Sequence, residues 1–177
     1  MNKQQEIATF LHEPTEEALD KLWEEDELVV WIDWRECEED IIGYFNEHLA
    51  ETFQIECEVI EIDKPRGVDI VLTSTEQSMR IPFADDKTDR DSAIRAMQEL
   101  IAPHHQIRWF KESLGGDTLA FVLLPTGQWD ELEQLFGKEK VQFYFQVITN
   151  DCMMFDMSME EMDAEMQARD QARAENF

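Results

Sequence analysis

The run Leu119-Ala120-Phe121-Val122-Leu123-Leu124 constrains the fold more than any other stretch of the chain. It is far too short to span a bilayer, and it lacks the polar alternation of a half-exposed strand. It predicts a central strand, paired through the turn Gly115-Gly116-Asp117 with a strand over residues 106–111. Other strand signals surround it. Leu28 to Ile32 is apolar and β-branched. Ile55 to Ile62 alternates partly between apolar and acidic residues, as a half-exposed strand does. Val68 to Thr73 and Met79 to Phe83 predict a hairpin around Ser74 to Gln77, after a turn at Pro65-Arg66-Gly67. Val141, Phe143, Phe145 and Val147 alternate with Gln142, Tyr144 and Gln146, which predicts a last strand.

Helical periodicity separates these strands. Ile7, Phe10 and Leu11 predict a helix over 3–12, and Thr15 is placed to cap a second helix carrying Leu19, Leu22 and Trp23. Residues 35–53 predict the longest helix of the first half, with Ile41, Ile42, Phe45, Leu49 and Phe53 facing inward. Thr88 and Asp91 resemble a capping box before the stripe Ala93, Ile94, Met97, Leu100 and Ile101, which Pro103 stops. Trp129, Leu132, Leu135 and Phe136 predict a short helix ended by Gly137. The expected fold class is α+β: a mostly antiparallel sheet packed against helices on one face, with a C-terminal amphipathic helix. Residues 1–154 are expected to form a single acidic domain, and residues 155–177 a Met-rich helix with a frayed tail.

The chain carries a net charge of −26, unevenly spread. Residues 13–62 hold 18 acidic and 2 basic residues, whereas residues 64–150 hold 13 acidic and 10 basic. Adaptation to high salt would coat the whole surface; this asymmetry predicts a directed field. The acidity argues against direct binding of nucleic acid or of an anionic membrane, both of which need clustered Lys and Arg. The polar start Met1 to Glu6, with no long apolar run after it, leads to the expectation of no signal peptide. Cys37, Cys57 and Cys152 fit neither a disulfide framework nor a zinc site, which predicts a reducing, cytoplasmic setting.

No enzyme motif is visible. Gly115-Gly116 sits in a hairpin context and not in a phosphate loop. His104-His105 would point to opposite faces of a strand. Asp85, Asp86, Asp89 and Asp91 lack the glycine and closing glutamate of a calcium loop and read as a capped helix start. No catalytic residue, metal or cofactor is therefore expected.

The informative feature is acidic. On a helix over 35–53, Glu36, Asp40, Glu47 and Glu51 would form one ridge. Glu24, Glu25, Asp26 and Glu27 precede the first strand, while Asp33 and Glu39 lie near the helix start. Trp31 and Trp34 lie among these acids; alternation over residues 28–34 would point one of them outward, and an outward Trp31 or Trp34 ringed by carboxylates would serve as an interface anchor. The partner expected for this set is a cationic protein: a toxin or a nucleic-acid-binding protein. In size, charge and lack of an active site the chain resembles immunity proteins of bacterial nuclease toxins and DNA-mimic inhibitors. That resemblance implies occlusion of a basic groove. A second expectation is an adaptor, or a homodimer formed through Met159, Met162 and Met166 on the C-terminal helix.

Overall fold

The computed structural model describes residues 2–25 and 27–176. The fold is α+β, with two antiparallel sheets. The larger sheet runs, edge to edge, through β1 (Val29–Asp33), β6 (Thr118–Pro125), β5 (His105–Phe110) and β7 (Phe145–Val147). The smaller sheet is β2 (Glu56–Glu61), β3 (Val68–Thr73) and β4 (Ser78–Arg80), with β3 in the middle. The apolar run of β6 is central, flanked by β1 and β5.

The two sides of β6 explain why the run has no polar alternation. On one side Leu119, Phe121 and Leu123 join Val30, Ile32, Ile107 and Trp109 against α3 (Glu38–Glu47) and α4 (Arg90–Ile101). On the other, Ala120, Val122 and Leu124 join Val29 and Phe110 against α1 (Lys3–His12), α2 (Glu16–Trp23), α5 (Thr126–Phe136) and α6 (Lys138–Tyr144). The larger sheet is thus covered by helices on both faces, which corrects the expectation of one covered face. Each large side chain sealed between these layers contributes about 1.5–3 kcal/mol of hydrophobic free energy. Helix α4 is wedged between the sheets: it packs on β5 and also on β3 and β4. Its wide apolar face (Ala93, Ile94, Ala96, Met97, Leu100, Ile101) suits that position.

Local chemistry sets most boundaries where the sequence places them. Asn2 and Gln5 close a capping box on α1, and the Thr15 hydroxyl accepts the Ala18 amide at 3.2 Å to start α2. Gly67 and Gly137 take φ of 78° and 85°, the left-handed region that turns the chain after β2 and ends α5. At α4 the cap is Asp89, not Thr88, and Asp91 points inward.

Two elements differ from expectation. Residues 138–144 are helix α6, not strand; the sheet regains only 145–147, as β7 pairing with β5. Val141 and Phe145 satisfy helical spacing as well as alternation, Tyr144 joins them only on the helical count, and all three are buried. Helix α3 is also shorter than the expected 35–53. Asp33 accepts the Arg35 amide at 2.8 Å, and its carbonyl accepts that of Glu36 at 3.1 Å, so the chain turns before the helix begins. At the other end the Asn46 side chain pairs with both the N–H and C=O of Ile55, each at 2.8 Å. Residues 51–53 form a separate 3-10 turn.

The C-terminal helix α7 (Met159–Asn176) has no buried residue. It is held by charge. Glu165 pairs with buried Lys111, and Arg169 and Arg173 share Glu112 at 2.6 and 2.7 Å, with Arg169 lying 4.3 Å over the Phe143 ring. Met159 is 71% exposed and Met166 is 40% exposed, while Met162 is half-buried.

Candidate functional site

The acidic segment folds around one edge of the larger sheet. Trp23 of α2 meets Trp31 of β1 with ring centroids 4.7 Å apart, which seats α2 on one face of that edge strand. Helix α3 packs on its other face. Between α2 and β1 the Glu25 carbonyl accepts the amides of Leu28 and Val29, so a short turn displays Glu24, Glu25 and Glu27 to solvent. Asp26 lies outside the described residues.

The structure does not assemble Glu36, Asp40, Glu47 and Glu51 into one helical ridge. Asp40 and Glu47 share a face of α3, two turns apart. Glu36 precedes the helix and accepts the Tyr44 hydroxyl at 3.1 Å; Glu51 stands on the 3-10 turn beyond it. Glu39 is exposed in the first turn of α3. Asp33 is held by Arg35, whose amide and guanidinium keep its carboxyl below the usual carboxylate range. Neither tryptophan stands free. Trp31 leans on Trp23, and Trp34 packs edge-on to Phe155 at 5.1 Å while its indole N–H donates to the Gly116 carbonyl at 3.2 Å.

The thiols are held protonated. Cys37 donates its S–H to Asp40 at 3.0 Å, which raises its pKa. Burial, with Glu39 nearby, pushes Cys57 up to about 11, and burial also raises Cys152. At the end of α3, His48 lies 2.9 Å from the Lys3 ammonium; burial, reinforced by that charge, pushes it down to about 4. Among the described residues no three His, Cys, Asp or Glu side chains are grouped to hold a metal ion. No helix among them is long and apolar enough to cross a membrane.

Counter-ions divide the molecule. Among the described residues, the only carboxylates of residues 13–62 in ion pairs are Glu17 and Asp33, each with a near neighbour in sequence, Lys21 and Arg35. Most other cations are engaged elsewhere. Arg66 and Arg80 clasp Asp69, Lys64 reaches Asp85, Arg108 pairs with Glu133 at 2.8 Å, and Lys111, Arg169 and Arg173 bind Glu165 and Glu112. The acidic segment is therefore left with the larger share of uncompensated charge.

Glu24 and Glu25 also line a cleft of about 540 Å³ between α1 and α2. Glu6, Glu13 and Glu17 complete its acidic lining. Sequence reasoning passed over Glu6, because Lys3 offsets it within a neutral first twelve residues, and over Glu13, because it stands apart from the other acids at the junction of two helices. The signal was available in the acids that two short helices, joined at Pro14, turn toward each other. No protein-family model, curated protein or solved structure matches the chain.

Proposed function

We propose that this chain is a binding protein that neutralises a cationic protein by occluding its basic surface. An immunity protein does this for a nuclease toxin, and a DNA mimic does it for a nucleic-acid-binding protein. One observation carries the reading: among the described residues, two of the 17 carboxylates of residues 13–62 are in ion pairs, both with near neighbours in sequence, against nine of the 23 in the rest of the chain. Such a surface accelerates encounter with a positive partner and pairs with its Arg and Lys groups in place of phosphates. Glu24, Glu25, Glu27, Glu39, Asp40, Glu47 and Glu51 supply exposed carboxylates for it. The three unbridged cysteines suit a reducing cytoplasm. The reading assigns the chain no reaction of its own.

The test is affinity capture from host lysate at low and high ionic strength, with the wild type and the variant Glu36→Lys/Asp40→Lys/Glu47→Lys. A basic protein retained by the wild type, released by salt and lost by the folded variant is the expected result. Capture that is indifferent to salt and to the three reversals would assign the acidity to solubility alone.

The exposed Met159 and Met166 favour a second reading, assembly with a partner or a second copy through α7. It predicts that deletion of residues 159–177 converts an oligomer to a monomer in size-exclusion chromatography with light scattering.

A further inference from the structure

We infer that the cleft between α1 and α2 is the seat of a basic peptide segment, taking arginine or lysine side chains from the partner protein. The inference rests on the reading above and specifies where the partner engages.

The cleft is a built feature of the fold. The Thr15 amide bonds back to the Glu13 carbonyl at 2.9 Å, so α1 and α2 are joined by a tight turn. Its volume of about 540 Å³ falls in the range of roughly 300–1,000 Å³ typical of ligand sites. The floor is apolar: Phe10, Ala18 and Leu22. Phe10 is fixed from below by edge contacts to Phe110 and Tyr144 at 5.5 and 5.1 Å, so the floor is braced by the core.

The rim is acidic. It holds Glu6, Glu13, Glu17, Glu24 and Glu25, and its one lysine, Lys21, is tied to Glu17 at 2.9 Å. His12 is the other basic group in the lining, and Lys3, close by on α1, is turned to His48. An apolar floor beneath a carboxylate rim complements side chains with an aliphatic stem and a cationic head, which is the make-up of Arg and Lys. An anionic segment would be repelled by the rim, and an apolar helix would leave the carboxylates stripped of water without partners. The chain's own C-terminal helix is not the occupant, since it is fastened to Lys111 and Glu112.

The probe is a synthetic helical peptide with arginine at every fourth position, titrated calorimetrically into the full chain beside the same peptide carrying neutral citrulline. Three variants accompany the wild type. Glu13→Gln/Glu24→Gln/Glu25→Gln removes three of the five rim carboxylates; Ala18→Trp adds bulk to the cleft floor at constant charge; Glu56→Gln/Glu58→Gln/Glu61→Gln removes as many charges from exposed positions on β2. The arginine peptide is expected to bind and the citrulline peptide not. The rim and Ala18 variants should lose about tenfold or more in affinity, and the β2 variant less than about threefold. Should the Ala18 variant misfold by circular dichroism, the rim and β2 pair decides alone. Equal losses from rim and β2 would overturn the cleft while leaving a diffuse acidic binding surface intact. Equal binding of the citrulline peptide would overturn a cationic occupant of this cleft. Failure of the arginine peptide to bind even at low salt would also overturn the inference, and the capture experiment with the α3 reversals then judges the broader reading independently.

Discussion

Asp91 is the residue whose alteration should do most damage for the fewest atoms changed. It lies in the first turn of α4, fully buried, and its carboxylate accepts three consecutive backbone amides from a segment more than 60 residues away. Oδ1 takes Phe155 at 2.8 Å, while Oδ2 takes Met154 at 2.9 Å and Asp156 at 3.2 Å. Asparagine has nearly the same shape but one acceptor oxygen. Whichever way its amide turns, an NH2 group faces at least one of those N–H donors. The cost combines one lost charge-assisted bond, about 1.5–3 kcal/mol, with weakening of the others and a buried donor left unpaired. Asp91→Asn is therefore expected to destabilise the fold by about 3 kcal/mol, a large part of the roughly 5–15 kcal/mol that holds an ordinary domain. With a urea m-value of about 2 kcal/mol/M, the unfolding midpoint should fall by about 1.5 M. The control is Asp89→Asn, two residues earlier. Asp89 caps α4 by accepting the Ser92 amide at 2.6 Å, and asparagine caps as well as aspartate, so the expected change is under about 1 kcal/mol. If the two variants unfold at the same urea concentration, or if Asp91→Asn stays within about 1 kcal/mol of wild type, the clamp does not have the role assigned to it.

Two further outcomes can be checked. Glu112→Gln leaves Arg169 and Arg173 without their shared carboxylate, so amides of residues 159–176 should exchange about tenfold faster while those of the larger sheet keep their protection; unchanged exchange would show that α7 is held by something else. His48 is held neutral in the fold, at about 4 against an ordinary 6.5, so the unfolded chain takes up its proton first as pH falls; its contribution is complete above about pH 6.5 and is lost toward pH 4. His48→Gln should accordingly flatten the wild-type loss of stability between those limits, and equal slopes for the two proteins in urea titrations would refute that assignment.

Much of the fold is legible in local sequence because periodicity and capping are local. The β6 run, the alternating β2, the Thr15 cap and the left-handed glycines at 67 and 137 each announce themselves within a few residues. Residues 138–144 do not, since Val141 and Phe145 fit two periods at once, and only packing beneath α1 selects the helix, which also buries Tyr144. The same β6 run, with no polar residue on either side, held the information that both faces are covered. What it could not reveal was which helices do the covering. The acids of the candidate site were visible, but their grouping was not. Two bonds at Asp33, from its side chain to the Arg35 amide and from its carbonyl to the Glu36 amide, take Glu36 off the helix, and the cations that would have neutralised the segment are claimed by partners such as Glu112, 57 and 61 residues from Arg169 and Arg173 in sequence.

The order of strands gives this partition a direction. β1, with the acid-rich elements about it, is one edge of the larger sheet; β7 is the other, next to β5, whose Arg108 and the following Lys111 are sealed in ion pairs. The unpaired carboxylates of α2, α3 and the turn before β1 therefore gather about one edge, and the charge of the molecule is unevenly distributed. In the field of a positive body such an object feels a torque as well as a pull. Toward the cationic partner proposed above, that torque would turn the β1 edge forward while still in solution, and a larger fraction of collisions would begin with that side leading.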